Sequence, residues 1–223
     1  MCNVCKKILN KLSYLYKVHI LRDSFLRAVR QWYLDKSDEK LKLNYPLNKL
    51  SIAFDVGGYL GNCAYDINQK FDCQVYLFEP VPAFYQECVR RFANNPSIIC
   101  LNYGLASTSG WLGINVDENS SSFNKGTDAN AQQVQIRSIT EVIAELGIEK
   151  IDFMEMNIEG GEFDLLPAMI DSGLIKQVKY LKIQFHDFVE SAVENRHRIR
   201  KSLEKTHREM WNYEFVWESW ELL

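Results

Sequence analysis

No apolar run in the 223-residue chain approaches the ~18 residues that a membrane span requires, so no transmembrane segment is expected. The N-terminus lacks a continuous apolar stretch and a small-residue cleavage site, so no signal peptide is expected either. Neither sign of charge dominates: the net charge of −3 gives no whole-chain attraction to a polyanion, and nucleic acid is not an expected partner. The six cysteines, Cys2, Cys5, Cys63, Cys73, Cys88 and Cys100, are scattered and do not read as a disulfide framework. Cys2 and Cys5 form a single CxxC without the second pair that a zinc site needs, so no metal is expected. Reduced thiols fit a cytoplasmic address. Low-complexity segments and internal repeats are also missing.

What remains is a composition of 47% hydrophobic and 13% aromatic residues, enough for the core of one α/β domain with a short extension. Residues 1–36 carry apolar positions at helical spacing and eight Lys or Arg against two Asp. Such a basic amphipathic helix either packs on its own domain, the expectation here, or lies on an anionic membrane surface as the minor alternative. Asn44 to Asn48, with Pro46, reads as a linker, which puts the extension at 1–48 and the domain at 49–223.

The domain opens with "LSIAFDV", an apolar strand without alternation, as expected when both sheet faces are covered. "NCAYDINQKF" reads as a helix, "CQVYLFEP" as a strand, "PAFYQECVRRFANN" as a helix with Pro82 in its first turn, and "SIICLNYG" as a strand. This β-α-β-α-β order predicts parallel strands with right-handed crossovers. "WLGINV" and "VQIRSI" follow as weaker strands around a polar loop over residues 117–133. Next come the helix "ITEVIAELGI", the strand "KIDFMEMNIEG" and the helix "EFDLLPAMIDSG" capped by Gly173. The strand "VKYLKIQFHD", a long basic helix over 188–210 and a last strand or hairpin arm in "YEFVWESWELL" complete the chain.

The first strand runs into "FDVGGYLGN", residues 54–62. Ligands of open α/β sheets bind at the carboxyl ends of strands, which makes this turn the prime site. Gly57 and Gly58 allow a sharp turn with close backbone approach, and Gly61 lets the next helix pack tightly. The dinucleotide fingerprint is incomplete, because Val56 stands where its first glycine belongs. A phosphate loop fails too: Asn62 and Cys63 follow Gly61 in place of Lys and Ser or Thr. Asp55 at the strand end would repel a pyrophosphate and favour a cation. Glu79 ends the second strand, 22 residues after Gly57, where an acid accepts hydrogen bonds from ribose hydroxyls. Separately, Asp55 reads as a helix cap and Glu79 as a solvated strand end. Together they favour a phosphate-free, cationic nucleoside: S-adenosylmethionine.

"FDVGGYLGN", "LFEPVPAFYQECVRRF", "IDFMEMNIEGGEFDLL" and "VKYLKIQFHDF", in this order, resemble the FkbM family of S-adenosylmethionine-dependent methyltransferases over roughly residues 51–187. The resemblance implies a Rossmann-like class I methyltransferase fold: a seven-stranded, mostly parallel sheet with helices on both faces and the last strand antiparallel. It implies O-methylation of sugars or secondary metabolites, here of a small-molecule or glycan acceptor such as a surface-polysaccharide precursor. Carried over by position, the cofactor would lie along Asp55, Gly57, Gly58, Tyr59, Gly61 and Asn62. Its ribose would meet Glu79 and Pro80, its adenine Gly104 and Leu105, with Asn157 after the fourth strand. Glu159 and Glu162 match the family's two glutamates after that strand, and His186 its histidine after the fifth. The chain departs from the family in Gly58–Tyr59 for Ala–Asn, Glu155 for Lys, Asn157 for Asp and Gln184 for Glu.

Methyl transfer to a hydroxyl needs a base as the bond forms. His186 fits that role, because its ordinary pKa of ~6.5 leaves it largely neutral at physiological pH. Glu159 is expected to orient the histidine or the acceptor, and Glu162 to sit at a helix start where the dipole favours an acid. Trp111, Trp217 and Trp220 are expected in the core. Arg196, Arg198, Arg200, Lys201, Lys205 and Arg208 are expected on a solvated face, with contact to an anionic acceptor as the minor reading. Two rivals stand beside this one. A nicotinamide-dependent oxidoreductase would need a full glycine fingerprint and a Tyr-x-x-x-Lys pair, and has neither. A non-catalytic nucleoside-binding module of the same fold would bind the cofactor without turnover.

Overall fold

The strand Ile52–Val56 (β1) lies in the interior of a seven-stranded sheet, and alternate side chains along it feed two separate cores. Phe54 and Val56 join one apolar cluster, Ala53 the other. That division explains the unbroken apolar run in the sequence: both faces are covered, so neither set of side chains needs to be polar. A computed structural model describes residues 23–117, 120–122 and 131–223. Cys2, Cys5, most of the N-terminal helix and most of the polar loop lie outside the described residues.

The helix Asn62–Phe71 (α3), the strand Gln74–Phe78 (β2), the helix Pro82–Arg91 (α4) and the strand Ile98–Leu101 (β3) follow β1. β1, β2 and β3 are parallel, as the βαβ pattern predicts. Pro82 occupies the first turn of α4, where its missing N–H costs nothing. On the other side β1 pairs in parallel with Ile151–Met156 (β8), and β8 with Val178–Ile183 (β9). The chain ends in a hairpin, His207–Tyr213 (β10) and Trp217–Leu222 (β11), whose second arm inserts antiparallel beside β9. The sheet order is β10-β11-β9-β8-β1-β2-β3.

One cluster joins that sheet to the helices Ile139–Leu146 (α5), Glu162–Asp171 (α6) and Ala192–Leu203 (α7). The other packs α3 and α4 against the opposite face together with Tyr45 of the linker. A second, smaller sheet is built from Gly104–Ala106 (β4), Gln132–Ser138 (β7), Gly110–Asp117 (β5) and Ser120–Ser122 (β6), in that order. The two weak strands of the sequence reading are its centre, and Gly104 and Leu105 lie in a strand beside them.

Two expectations are corrected. The basic helix is not 188–210 but Ala192–Leu203, and the residues from His207 form a strand. The basic residues run through both elements and mask the change of period. The strand is stabilised from outside its own sequence: Trp32 of the helix Ser24–Leu34 (α1) packs its ring on Trp211 and Tyr213 of β10. This packs α1 against side chains of the sheet's edge strand. The described part of the extension therefore packs on its own domain, through α1 and the short helix Ser37–Lys40 (α2). Trp111 is not in the core; it is 70% exposed on β5, paired with exposed Gln135, because among the described residues no layer covers that face of the small sheet. Trp220 is fully buried, and Trp217 lies against Lys182 Nζ, 3.9 Å from its ring centre.

Candidate functional site

The carboxyl ends of β1, β2, β8 and β9 bring most of the predicted residues together. Gly57 has φ +90°, and a side chain there would stand 2.1 Å from the Asn157 carbonyl oxygen, so the turn demands glycine. The N–H groups of Gly57 and Gly58 both donate to the Phe78 carbonyl, stitching the turn to β2. Gly61, at φ +75°, packs its bare Cα beside the Phe92 ring and opens α3. Arg91 donates to the Leu60 carbonyl and to Asn62 Oδ1, both at 2.7 Å, and holds the far side of the turn.

Asp55 is buried and accepts a 2.9 Å hydrogen bond from the Ala64 N–H. A strand-end carboxylate thus caps α3 from outside the helix. Burial, and then the nearby charge of Glu155, push its carboxyl up to about 7. Glu79 is buried too, and its two oxygens accept from the N–H groups of Tyr59 and Val81, each at 2.7 Å. Burial outweighs these bonds and lifts it to about 7. The backbone after it is fixed by Asn102, whose Nδ2 donates to the carbonyls of Glu79 and Pro80 at 3.0 and 3.3 Å. Nothing in the sequence singled out Asn102. Each Glu79 oxygen has a second lone-pair direction, so the acid is clamped yet retains capacity for ribose hydroxyls. Tyr59, in left-handed backbone at φ +47°, stacks edge-on against Phe84 at 4.6 Å. Gly104 lies against Pro80, and Leu105 is buried.

Behind Asp55 the sheet carries a buried polar rung. Glu155 is in register with Asp55 on one side and with Lys182 on the other, and Lys182 Nζ lies 2.9 Å from Glu155 Oε2. Lys182 is in register with Ser219, whose hydroxyl is 2.8 Å from that of Tyr45. Glu155, where the family pattern has a lysine, is therefore matched by a lysine one strand away.

Asn157 hydrogen-bonds through its N–H to the Val56 carbonyl, while its buried Oδ1 finds no partner among the described residues. A buried acceptor left unmatched beside a glycine turn is an opening for a ligand's donor. Together with two clamped carboxylates, this set of acceptors suits an amino-bearing, phosphate-free nucleoside.

His186 follows β9 and is 9% exposed. Its Nδ1 is 2.9 Å from Glu162 Oε1, which also accepts the His186 N–H at 2.8 Å. Glu162 Oε2 accepts the Gly160 N–H at 2.9 Å, and the residue is fully buried. Glu159, in left-handed backbone at φ +50°, reaches His186 Nε2 at 3.6 Å. The group bonded to the imidazole is thus Glu162, not Glu159, and Glu162 is more than a helix-opening acid: the turn before α6 folds its side chain back under the strand ends. Burial lowers the His186 pKa, but Glu162, then Glu159 and Asp187, raise it further than burial lowers it. The sequence expectation of an ordinary, largely neutral imidazole is corrected in that direction. The Phe188 ring, exposed, is centred 5.3 Å from that of His186.

Two arginines of α7 are not solvated: Arg196 and Arg200 both pair with buried Glu218 of β11. Arg198, Lys201, Lys205 and Arg208 are exposed as expected, Arg208 pairing with Glu221 at the surface. Among the described residues no group of histidine, cysteine and acidic side chains is arranged to hold a metal. Nor is any described helix long and apolar enough to cross a membrane.

Sheet order, the antiparallel β11 and the strand-end acids define a class I methyltransferase domain. Residues 55–215 match the methyltransferase FkbM domain, and the chain belongs to that family, whose cofactor is S-adenosylmethionine. A curated relative, the AMB antimetabolite synthetase AmbE of Pseudomonas aeruginosa, is 30% identical over 79 residues. That alignment covers 35% of this chain and 4% of AmbE, so the chain spans a small part of that protein's length. Among solved structures, SMU.1697c of Streptococcus mutans, in complex with SAH, has a TM-score of 0.52 at 13% identity, over 85% of this chain and 97% of that one. Aeropyrum pernix fibrillarin, with natively bound S-adenosyl-L-methionine, has 0.50 at 11%, over 84% and 74%. These likenesses establish the fold.

Proposed function

We propose that this domain transfers the methyl group of S-adenosylmethionine to a hydroxyl oxygen, with His186 as the base, and that the acceptor is a sugar of a glycan or of a surface-polysaccharide precursor. The observation that carries the reading is the buried imidazole held by a carboxylate at the end of β9, in the same row of strand ends as Asp55 and Glu79. In this reading the methionine end of the cofactor lies along Asp55, Gly57, Gly58, Gly61 and Asn62, beside the open acceptor of Asn157. The ribose meets Glu79 near Tyr59 and Pro80, and the adenine borders Gly104 and Leu105. Glu159, partly exposed beside Nε2, faces the acceptor. Much of the rate comes from holding hydroxyl and methyl in line. An exposed ring such as Phe188 offers a face on which a sugar stacks. The paired arginines and the net charge of −3 support a non-nucleic acceptor, and the free thiols Cys63, Cys73, Cys88 and Cys100 support a cytoplasmic address.

S-adenosylhomocysteine is expected to raise the melting temperature and NAD to leave it unchanged; the reverse result overturns the cofactor site. His186→Ala is expected to keep that thermal shift while lowering turnover by about 10²–10⁴-fold. Mass spectrometry of glycans from the source cells, with and without the gene, would identify the acceptor by one missing methyl group. Loss of a methyl from RNA instead would replace the glycan reading.

A further inference from the structure

The fully buried Glu162 makes three hydrogen bonds, and each bears on the proposed base. Oε1 takes both the backbone N–H and the ring Nδ1 of His186; Oε2 takes the N–H of Gly160. One carboxylate therefore ties the end of β9 to the turn after β8. We propose that Glu162 is the positioning residue of the transfer: it fixes His186 as the tautomer protonated on Nδ1, leaving the Nε2 lone pair free to take the acceptor's proton.

The tautomer follows from hydrogen-bond bookkeeping. A carboxylate only accepts, so the ring nitrogen beside Glu162 must carry hydrogen. The other nitrogen, 3.6 Å from Glu159, is then the basic one. As the acceptor's oxygen–methyl bond forms, its hydroxyl proton passes to Nε2. The electron pair of the broken sulfur–carbon bond stays on sulfur, which changes from sulfonium to thioether. The resulting imidazolium carries its charge against Glu162 and later returns the proton to water. Glu162 thus favours the charged product of the proton transfer, although it touches neither acceptor nor cofactor.

Glu159 has the weaker claim to this part. Its oxygen is beyond hydrogen-bond length and its side chain is 29% exposed. Its left-handed backbone is anchored by the Gly160 bond to Glu162, so Glu162 also sets where Glu159 stands.

This proposal rests on the assignment of His186 as base, but its test needs no acceptor. In the full-length protein labelled with ¹⁵N-histidine, NMR reads the titration and tautomer of His186 directly. The wild type is expected to show the Nδ1–H tautomer above its midpoint, and a midpoint above that of a free histidine. Glu162→Gln, close to isosteric, is expected to lower the midpoint by about one pH unit or more. Glu162→Asp is expected to fall between the two. A thermal shift with S-adenosylhomocysteine checks that each variant is folded. If Glu162→Gln does not fold, the wild-type tautomer decides alone. An Nε2–H tautomer, or an unchanged midpoint in Glu162→Gln, overturns the proposal. If these spectra come out as expected while His186→Ala turns over normally, the base assignment fails and the Glu162 pairing stands.

Discussion

Asp55 and Glu79 show how one residue type takes opposite demands at a strand end. Each is stripped of water by burial, and each is held by backbone N–H groups that prefer it charged. Burial wins in both, and both are pushed up to about 7, from ordinary values of 3.8 and 4.5. An acid whose folded pKa is raised adds stability below its ordinary pKa, and that contribution is lost as pH rises through the folded value. The ligand-free protein should therefore melt at a lower temperature at pH 8 than at about pH 6.5, the ordinary histidine value above which His207 does not oppose the trend. A scan of melting temperature against pH checks this, and a flat or rising profile would refute the raised values. His207 titrates in the other sense: burial lowers its pKa, so protonating it costs stability below the ordinary histidine value. That loss sets an acid limit, near the ordinary histidine value, to the trend from the two carboxyls.

At the scale of elements, the late helix and the terminal hairpin are one ionic unit. Glu218 is buried on β11 and accepts from Arg196, Arg200 and the Trp220 indole N–H. The two arginines lie one helical turn apart on α7, so one face of a basic helix is turned inward onto an acid. Removing that acid leaves a guanidinium buried without its main partner. Glu218→Ala should destabilise the protein by about 3–5 kcal/mol, read as a lower urea midpoint at unchanged slope. A change under about 1 kcal/mol would mean the cluster is solvated after all. Sequence reading missed this unit because the charges alternate through the helix and the next strand alike. Their partners are 9–22 residues away, and only the hairpin's fold brings them back.

Across the whole molecule the described residues before β1 are part of the fold's support. Tyr45, in the stretch that reads as a linker, is 5% exposed and packs its ring on Phe153 and Tyr180. Its hydroxyl ends the polar rung that begins at Asp55. Burial raises that phenol above its ordinary 10, keeping it neutral. Tyr45→Ala should lower stability by about 3–5 kcal/mol, as for other large aromatic truncations. Denaturant unfolding measures it, and a loss below about 1 kcal/mol would mean that 1–48 is only an appendage.

Much of the fold was legible in local pattern. Apolar runs, Pro82 and the glycines marked β1, α3, β2 and α4 because those signals act within a few residues. The strand-end acids Asp55 and Glu79 were legible for the same reason. The sequence by itself determined the alternation of strands and helices from β1 to β3, and hence that the strand ends carrying Asp55 and Glu79 meet in one row. Only the tertiary structure decided that Glu162 and not Glu159 holds His186, that Glu155 is answered by Lys182, that residues 207–213 extend, and that Tyr45 is core. Each depends on neighbours far apart in the chain, and burial, the quantity that sets both packing and proton affinity, has no local code.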